Sequence, residues 1–262
     1  MVNFMKVLLL ISLLFLSLSQ IRATEIDLNA LVMESVAAMP PGGGYSTSGA
    51  ANHALTRSVS IAGDHLKVSP AEAMPSYCSG ATYLIFLSAL SSLQSRDQLQ
   101  LTPRILALLK PSGQPDGHGV WGRWNANGPG TARLFYELGL GKNFTELNQA
   151  RSGDFLKIFW NEGIGASEHG HSVIYLGRES IQGVDCVSFW SSNIPGGLGK
   201  KSVPLRRIHR MLFSRLEHPE AILRASLLPP TDRYLASLEY RSSSSAEMER
   251  LCGLRIVESA GR

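Results

Sequence analysis

The sequence predicts an α+β fold in which one long apolar helix precedes a small antiparallel sheet, with extra helices at the C-terminal end. Three observations predict it. Pro75-Ser76-Tyr77-Cys78-Ser79-Gly80 leads into an unbroken apolar run reaching about Leu93, which reads as a helix start followed by a buried helix. Asp154–Trp160, His171–Leu176 and Val184–Trp190 then read as strands separated by turn residues. The 44% content of hydrophobic residues is that of a chain able to build a core, not of a disordered one.

In chain order, Lys6 followed by the apolar run Val7–Leu18 has the pattern of a secretory leader. Cleavage after Ala23 is expected, with Ser19 as the alternative. The run is too short for a membrane anchor, which needs about 20 apolar residues. No second stretch is long and apolar enough to span a bilayer. Residues 24–60 are expected to be an N-terminal extension or linker, with a short helix over Ile26–Met39 and a loop through Pro40-Pro41-Gly42-Gly43-Gly44. Leu55–Ala62 and His65–Val68 alternate weakly, as strands do. Pro103–Leu109 reads as a helix stopped by Pro111 and Gly113. Asp116–Gly130 is rich in glycine, holds Trp121 and Trp124, and reads as an irregular loop. Thr131–Leu138 is a helix closed by Gly139. Leu205, Ile208, Leu212 and Leu216 fall on one face of a helix ended by Pro219. Ala221–Leu228 and Tyr234–Tyr240 are later elements. A main domain over 61–215 and a C-terminal extension over 216–262 follow from this division.

The formal net charge is +4, and loss of Lys6 and Arg22 with the leader would remove two positive charges. So weak a balance argues against nucleic acid as a partner. The basic segment Lys200 to Arg215 reads more simply as a solvated face than as a surface for anionic polymers. The three cysteines, Cys78, Cys186 and Cys252, allow either a Cys186–Cys252 disulfide with Cys78 free or three thiols. They form no ligand cluster of the C-x-x-C type. His169 and His171, with Glu162 or Glu168, sketch a weak zinc alternative, so the expectation is no metal and no cofactor.

Chemistry concentrates at Cys78. Backbone N–H groups in the first turn of a helix are unpaired and favour negative charge, and the thiolate is the reactive form of cysteine. His171, entering a strand, supplies an acid–base group that titrates near neutrality. Sequence distance is no obstacle to their meeting. The group orienting the imidazole is expected on the following strand, with Asn193 first, Ser191 and Ser188 next and Asp185 last; the choice depends on strand register. The Cys78 N–H and the Tyr77 hydroxyl are candidate donors to an oxyanion. Trp121, Arg123, Trp124 and Asn125 either line a substrate groove, with Arg123 pairing a substrate carboxylate, or pack as core.

These segments resemble the NlpC-type cell-wall peptidases, a branch of the papain-like cysteine peptidase superfamily. Tyr77-Cys78-Ser79-Gly80 matches that family's Asp-Cys-Ser-Gly. Gly153-Asp154-Phe155 matches its Gly-Asp-Leu strand, and His171-Ser172-Val173-Ile174-Tyr175-Leu176-Gly177 its His-Val-Gly-Ile-Tyr-Leu-Gly strand. The resemblance runs from about Ser76 to Asn193. Tyr77 departs from the usual Asp, and the Trp121–Gly130 region lengthens the interval between Cys and His. The resemblance implies a papain-like fold, Cys78 as nucleophile, His171 as base and Asn193 as third residue. It also implies cleavage of peptide or amide bonds in peptidoglycan by an exported protein, periplasmic or extracellular. Two alternatives share the fold: a non-catalytic wall-binding module using Trp121 and Trp124, and a Cys–His acyltransferase.

Overall fold

The computed structural model describes residues 26–254; the leader, 1–23, lies outside the described residues. In chain order the elements are helix α1 (Leu28–Ala37), strand β1 (Gly42–Gly43), helix α2 (Gly49–Arg57), strands β2 (Val59–Ala62) and β3 (His65–Val68), and helices α3 (Cys78–Ser95), α4 (Pro103–Leu109), α5 (Gly119–Asn125) and α6 (Gly130–Leu138). Strands β4 (Gly141–Phe144), β5 (Phe155–Phe159), β6 (His171–Ile181), β7 (Val184–Asn193), β8 (Gly197–Pro204) and β9 (Arg210–Leu216) follow, then helices α7 (Arg233–Ser237) and α8 (Ser245–Leu251).

The fold is α+β. Seven strands form one sheet in the order β1-β8-β7-β6-β5-β9-β4, every neighbouring pair antiparallel, and β2 and β3 make a separate hairpin. Helix α3 is the central element. It is apolar on nearly all sides, as expected of a helix enclosed by other layers. Tyr83, Leu84, Ile85, Phe86 and Leu87 are all fully buried, and each such side chain contributes about 1.5–3 kcal/mol. Its partners in the main core include Leu31 and Val32 of α1, Leu134 and Phe135 of α6, and Phe155, Ile174 and Trp190 of the sheet. The opposite face of the sheet buries a second set: Leu156, Ile158, Val173, Tyr175, Phe189 and Phe213.

Several expectations are corrected. The glycine run after Pro41 is not a linker, because Gly42 and Gly43 pair with Leu198 and Gly197 and extend the sheet. Leu55–Arg57 belongs to helix α2, and the strand begins only at Val59. The Leu205–Leu216 segment is a short 3-10 turn followed by β9, not a helix. β9 is paired on both edges, by β5 and β4, and residues 212–216 are all buried, so both of its faces are covered. A strand buried on both faces loses the alternation that would have distinguished it from a helix. The glycine-rich stretch contains helix α5.

The C-terminal stretch is stapled to the body. Arg133 donates to the Asp232 carboxylate at 2.7 Å and to the Leu251 carbonyl at 2.7 Å. At the N-terminal side, Asp154 is fully buried and receives Arg215 through both carboxylate oxygens at 2.8 and 2.7 Å, with Asn29 of α1 donating at 2.9 Å. Gly153 has φ +94°, and a Cβ there would lie 2.5 Å from the Asn29 carbonyl oxygen. The Gly153-Asp154 pair is therefore a docking point for α1.

Candidate active site

Tyr77 has extended backbone angles (φ −135°, ψ 166°), and Cys78 is the first residue of α3. The sulfur therefore sits where the N–H groups of the first turn point outward without intrahelical partners. Two residues before Cys78, the Ser76 carbonyl is held from two sides. The Ser192 hydroxyl of β7 donates to the Ser76 carbonyl at 3.0 Å, and the Ser46 N–H donates to the same carbonyl at 2.9 Å.

His171 is the first residue of β6 and Asn193 the last of β7. Ile174 pairs with Trp190, and the same antiparallel register carried three residues onward sets His171 opposite Asn193. The ring Nε2 lies 3.3 Å from Asn193 Oδ1. Both amide hydrogens of Asn193 are committed to carbonyls, those of Ser191 at 3.1 Å and Gly199 at 2.9 Å. Its oxygen must then face the ring, so Nε2 carries the proton and Nδ1 is left for the thiol. Phe189 meets the imidazole edge-on at 5.7 Å, and Trp160 lies roughly parallel to it at 6.4 Å.

The half-buried Cys78 thiol feels opposing influences. Burial pushes it up, but the hydrogen bond to His171, the imidazolium charge, the Lys157 ammonium and the Ser172 N–H together bring it from 9.0 down to about 6. Cys252 is the internal contrast. It has no hydrogen-bonding imidazole, and burial, helped by the Asp232 and Glu137 charges and only partly opposed by Arg133, raises it to about 12. All three cysteines are free thiols, so the disulfide alternative is not realised. Tyr45 is pushed up to about 12 by its own burial and then by the Cys78 charge; Tyr77 is raised by the same causes, so both phenols stay neutral beside the sulfur.

A cleft of about 280 Å³ opens beside Cys78, walled by Tyr45, Asn52, Tyr77, Asp116, Asn125 and Lys157 among others. A second hollow of about 270 Å³ shares Asn52, Tyr77, Asp116 and Asn125 with it. Asn125 accepts from the Ser79 hydroxyl at 2.7 Å, and Asp116 accepts from the Asn127 N–H at 2.9 Å, which gives the polar wall a set shape.

The structure brings Cys78, His171, Asn193, Tyr77 and Asn125 together. Other expected contacts are not there. The Tyr77 hydroxyl donates to Asn52 Oδ1 at 2.6 Å, so it is already committed and is not a free donor to an oxyanion. Trp124 is fully buried, stacked on Phe86 at 4.9 Å, with its indole N–H 3.3 Å from the Thr82 hydroxyl. Trp121 is 4% exposed and packs on Tyr83 at 5.0 Å, presenting only an edge to the second hollow. Arg123 is wholly buried and donates to Glu137 and to three backbone carbonyls. These three side chains are core, because α5 turns its 121 and 124 positions inward. Ser191 donates to the Ser172 carbonyl, Ser188 lies against Glu179 and Ser202, and Asp185 pairs with Arg178, so none of them orients the imidazole. Glu168 accepts from the Gly170 and Trp160 N–H groups and from Asn161. Among the described residues no group of three or more His, Cys, Asp or Glu side chains is placed to hold a metal ion.

Lys157, Trp160, Asp116, Tyr45 and Asn52 are residues around the site that the motifs did not mark. Lys157 alone left a signal, a charge inside the otherwise apolar run Phe155–Trp160.

The imidazole orientation makes a specific expectation. Asn193→Ala removes the acceptor that holds the ring, and misplacement on the order of 1 Å costs about a hundredfold in rate. If the site is catalytic, steady-state kinetics should show kcat falling by that order with KM little changed. Asn193→Asp, which keeps an acceptor, should recover part of the loss; equal activity in the wild type and Asn193→Ala would remove Asn193 from the site.

Comparison with family models, with curated proteins and with solved structures gives no match to this chain.

Proposed function

We propose that this chain is a cysteine hydrolase of papain-like design that cuts peptide or amide bonds, with the peptide part of peptidoglycan as its substrate class and the leader as its route out of the cell. The observation that carries the proposal is the convergence of Cys78, His171 and Asn193 at one end of the sheet. There the thiol is drawn toward its ionised form, beside an open polar cleft.

In this reading the Cys78 thiolate attacks the substrate carbonyl carbon. The oxyanion is met by the unpaired Cys78 N–H at the start of α3. Protonated His171 gives its Nδ1 proton to the leaving nitrogen as the C–N bond breaks, leaving a thioester on Cys78. Neutral His171 then takes a proton from water as it attacks the thioester. The acid leaves, and sulfur and imidazole return to their starting states. Asn193 holds the ring through both steps. The wall-binding alternative loses its stacking platform, because Trp121 and Trp124 are packed in the core.

The test is mass spectrometry of purified peptidoglycan after incubation with the protein across pH 5–8. New fragments ending in a free carboxylate and a free amine are expected. Their rate should rise with pH through the Cys78 transition near 6, so that pH 5 gives about a tenth of the plateau rate. An unchanged digest at every pH would remove peptidoglycan as the substrate class. The thiol chemistry would then be sought on other amides.

A further inference from the structure

Lys157 occupies the middle of β5, is 6% exposed, and sits directly opposite Ser172 in the β5–β6 pairing. Its Nζ lies 3.3 Å from the Ser172 hydroxyl. Ser172 is also the residue whose backbone N–H reaches the Cys78 sulfur. The lysine stem passes beneath Gly170, which has φ +74° and no side chain; a Cβ there would stand 2.6 Å from Lys157 Cε. The glycine between His169 and His171 thus leaves room for a lysine to reach the cleft wall that Cys78 also lines. Burying an ammonium ion is costly unless negative charge compensates it.

We propose that Lys157 is a positioning residue of this site, whose ammonium ion, tethered by Ser172 and roofed by Gly170, supplies a second positive charge that keeps the Cys78 sulfur ionised when His171 has lost its proton. The proposal rests on the reading of Cys78 as the nucleophile and adds a reason why the nucleophile need not borrow all its charge from the imidazole. The groups facing the sulfur are His171 on β6, Lys157 on β5, and Tyr45 and Tyr77 from the segments before α3, with Asp116 and His169 on the cleft wall. Those facing Lys157 are Cys78, Asp116 and Glu168. Burial lowers the lysine, and the three anionic partners act against that lowering.

The experiment is iodoacetamide labelling of the full chain from pH 4.5 to 9, with Cys78 followed by peptide-resolved mass spectrometry. It needs no substrate, so the outcome is independent of whether peptidoglycan is cut. The wild type should label with a midpoint near 6. Lys157→Met should raise the midpoint by about one unit and slow labelling at pH 6 by roughly fivefold, and Lys157→Arg should restore it. In His171→Ala, with Lys157 intact, the midpoint should stay below the free-thiol value of about 8.5. A wild-type midpoint in Lys157→Met would overturn the proposal. If that variant does not fold, a His171→Ala midpoint at or above the free-thiol value would overturn it equally. Loss of peptidoglycan cleavage in the wild type with these labelling shifts intact would count against the substrate and leave the lysine's role standing.

Discussion

Cys78→Ala should reduce hydrolysis to background, a loss of at least about a thousandfold, while leaving a folded protein. The activity loss follows from chemistry, because Cys78 is the thiol that pairs with the His171 imidazole at the cleft. The other two thiols are buried, Cys252 at the C-terminal end of α8 and Cys186 within β7. Preservation of the fold follows from position. Cys78 is half-buried at a helix terminus, and its removal opens space toward the cleft and leaves the packed side of α3 untouched. The same substitution has a pH signature. A thiol held near 6 in the folded chain against 9.0 otherwise contributes stability that is fully present above 9 and is lost as pH falls through 6. Thermal melts of wild type and Cys78→Ala should therefore diverge in favour of the wild type between pH 5 and pH 9. Parallel melting curves over that range would mean that the sulfur is not ionised in the folded state, and full activity in the folded alanine variant would end the enzyme reading.

The residues of the site were legible where one element decided their position. Tyr77-Cys78-Ser79 before an apolar run marks a helix start, and helix starts have one chemistry regardless of what surrounds them. Asn193 was reachable as a polar amide at the end of the strand that follows His171, but its register was not: counted from the β6–β7 turn His171 falls opposite Ile194, and the bulge between Tyr175 and Gly177 moves it onto Asn193. What composition concealed was burial. Asp116–Gly130 reads as a loop because its glycines dominate, yet two of them are there for close packing. A Cβ on Gly122 would meet the Pro115 carbonyl oxygen at 2.2 Å, and one on Gly130 the Arg123 carbonyl oxygen at 2.3 Å. Between those contacts Trp121 and Trp124, three residues apart, form one inward face of a two-turn helix. β9 was concealed for the opposite reason, since a strand covered on both faces carries apolar residues at spacings a helix would also use. Lys157 showed only as a charge inside an apolar run, and its role could not be read, because that role depends on β5 pairing with β6 and on an absent side chain at Gly170.

Arg123 separates a substrate-binding role from a structural one most sharply, and the structure gives it the structural one. Its guanidinium has no exposure; Nε donates to Glu137 at 2.7 Å, Nη1 to the Gly117 and Gly119 carbonyls at 3.2 and 2.9 Å, and Nη2 to the Pro229 carbonyl at 2.9 Å. It joins the start of α5, the end of α6 and the segment before α7, and so clamps the C-terminal stretch against the loop that presents Asp116 and Asn125 to the cleft. Arg123→Met leaves a nearly buried carboxylate facing hydrocarbon and removes the side-chain donor from the Gly119 and Pro229 carbonyls, while Gly117 keeps the Asp232 N–H at 2.8 Å. Breaking a buried pair in this way costs about 3–5 kcal/mol. For a chain of this size that is a fall in Tm of about 10 °C, read by calorimetry. Glu137 keeps a longer contact with Arg133 at 3.5 Å, so Arg123→Met combined with Glu137→Gln should lose less than the single change. A guanidinium that clamped a substrate carboxylate would behave differently: KM would rise many-fold at unchanged Tm. An unshifted melting curve in Arg123→Met, with weakened substrate binding, would return this arginine to the substrate groove and require α5 to expose the face it now buries.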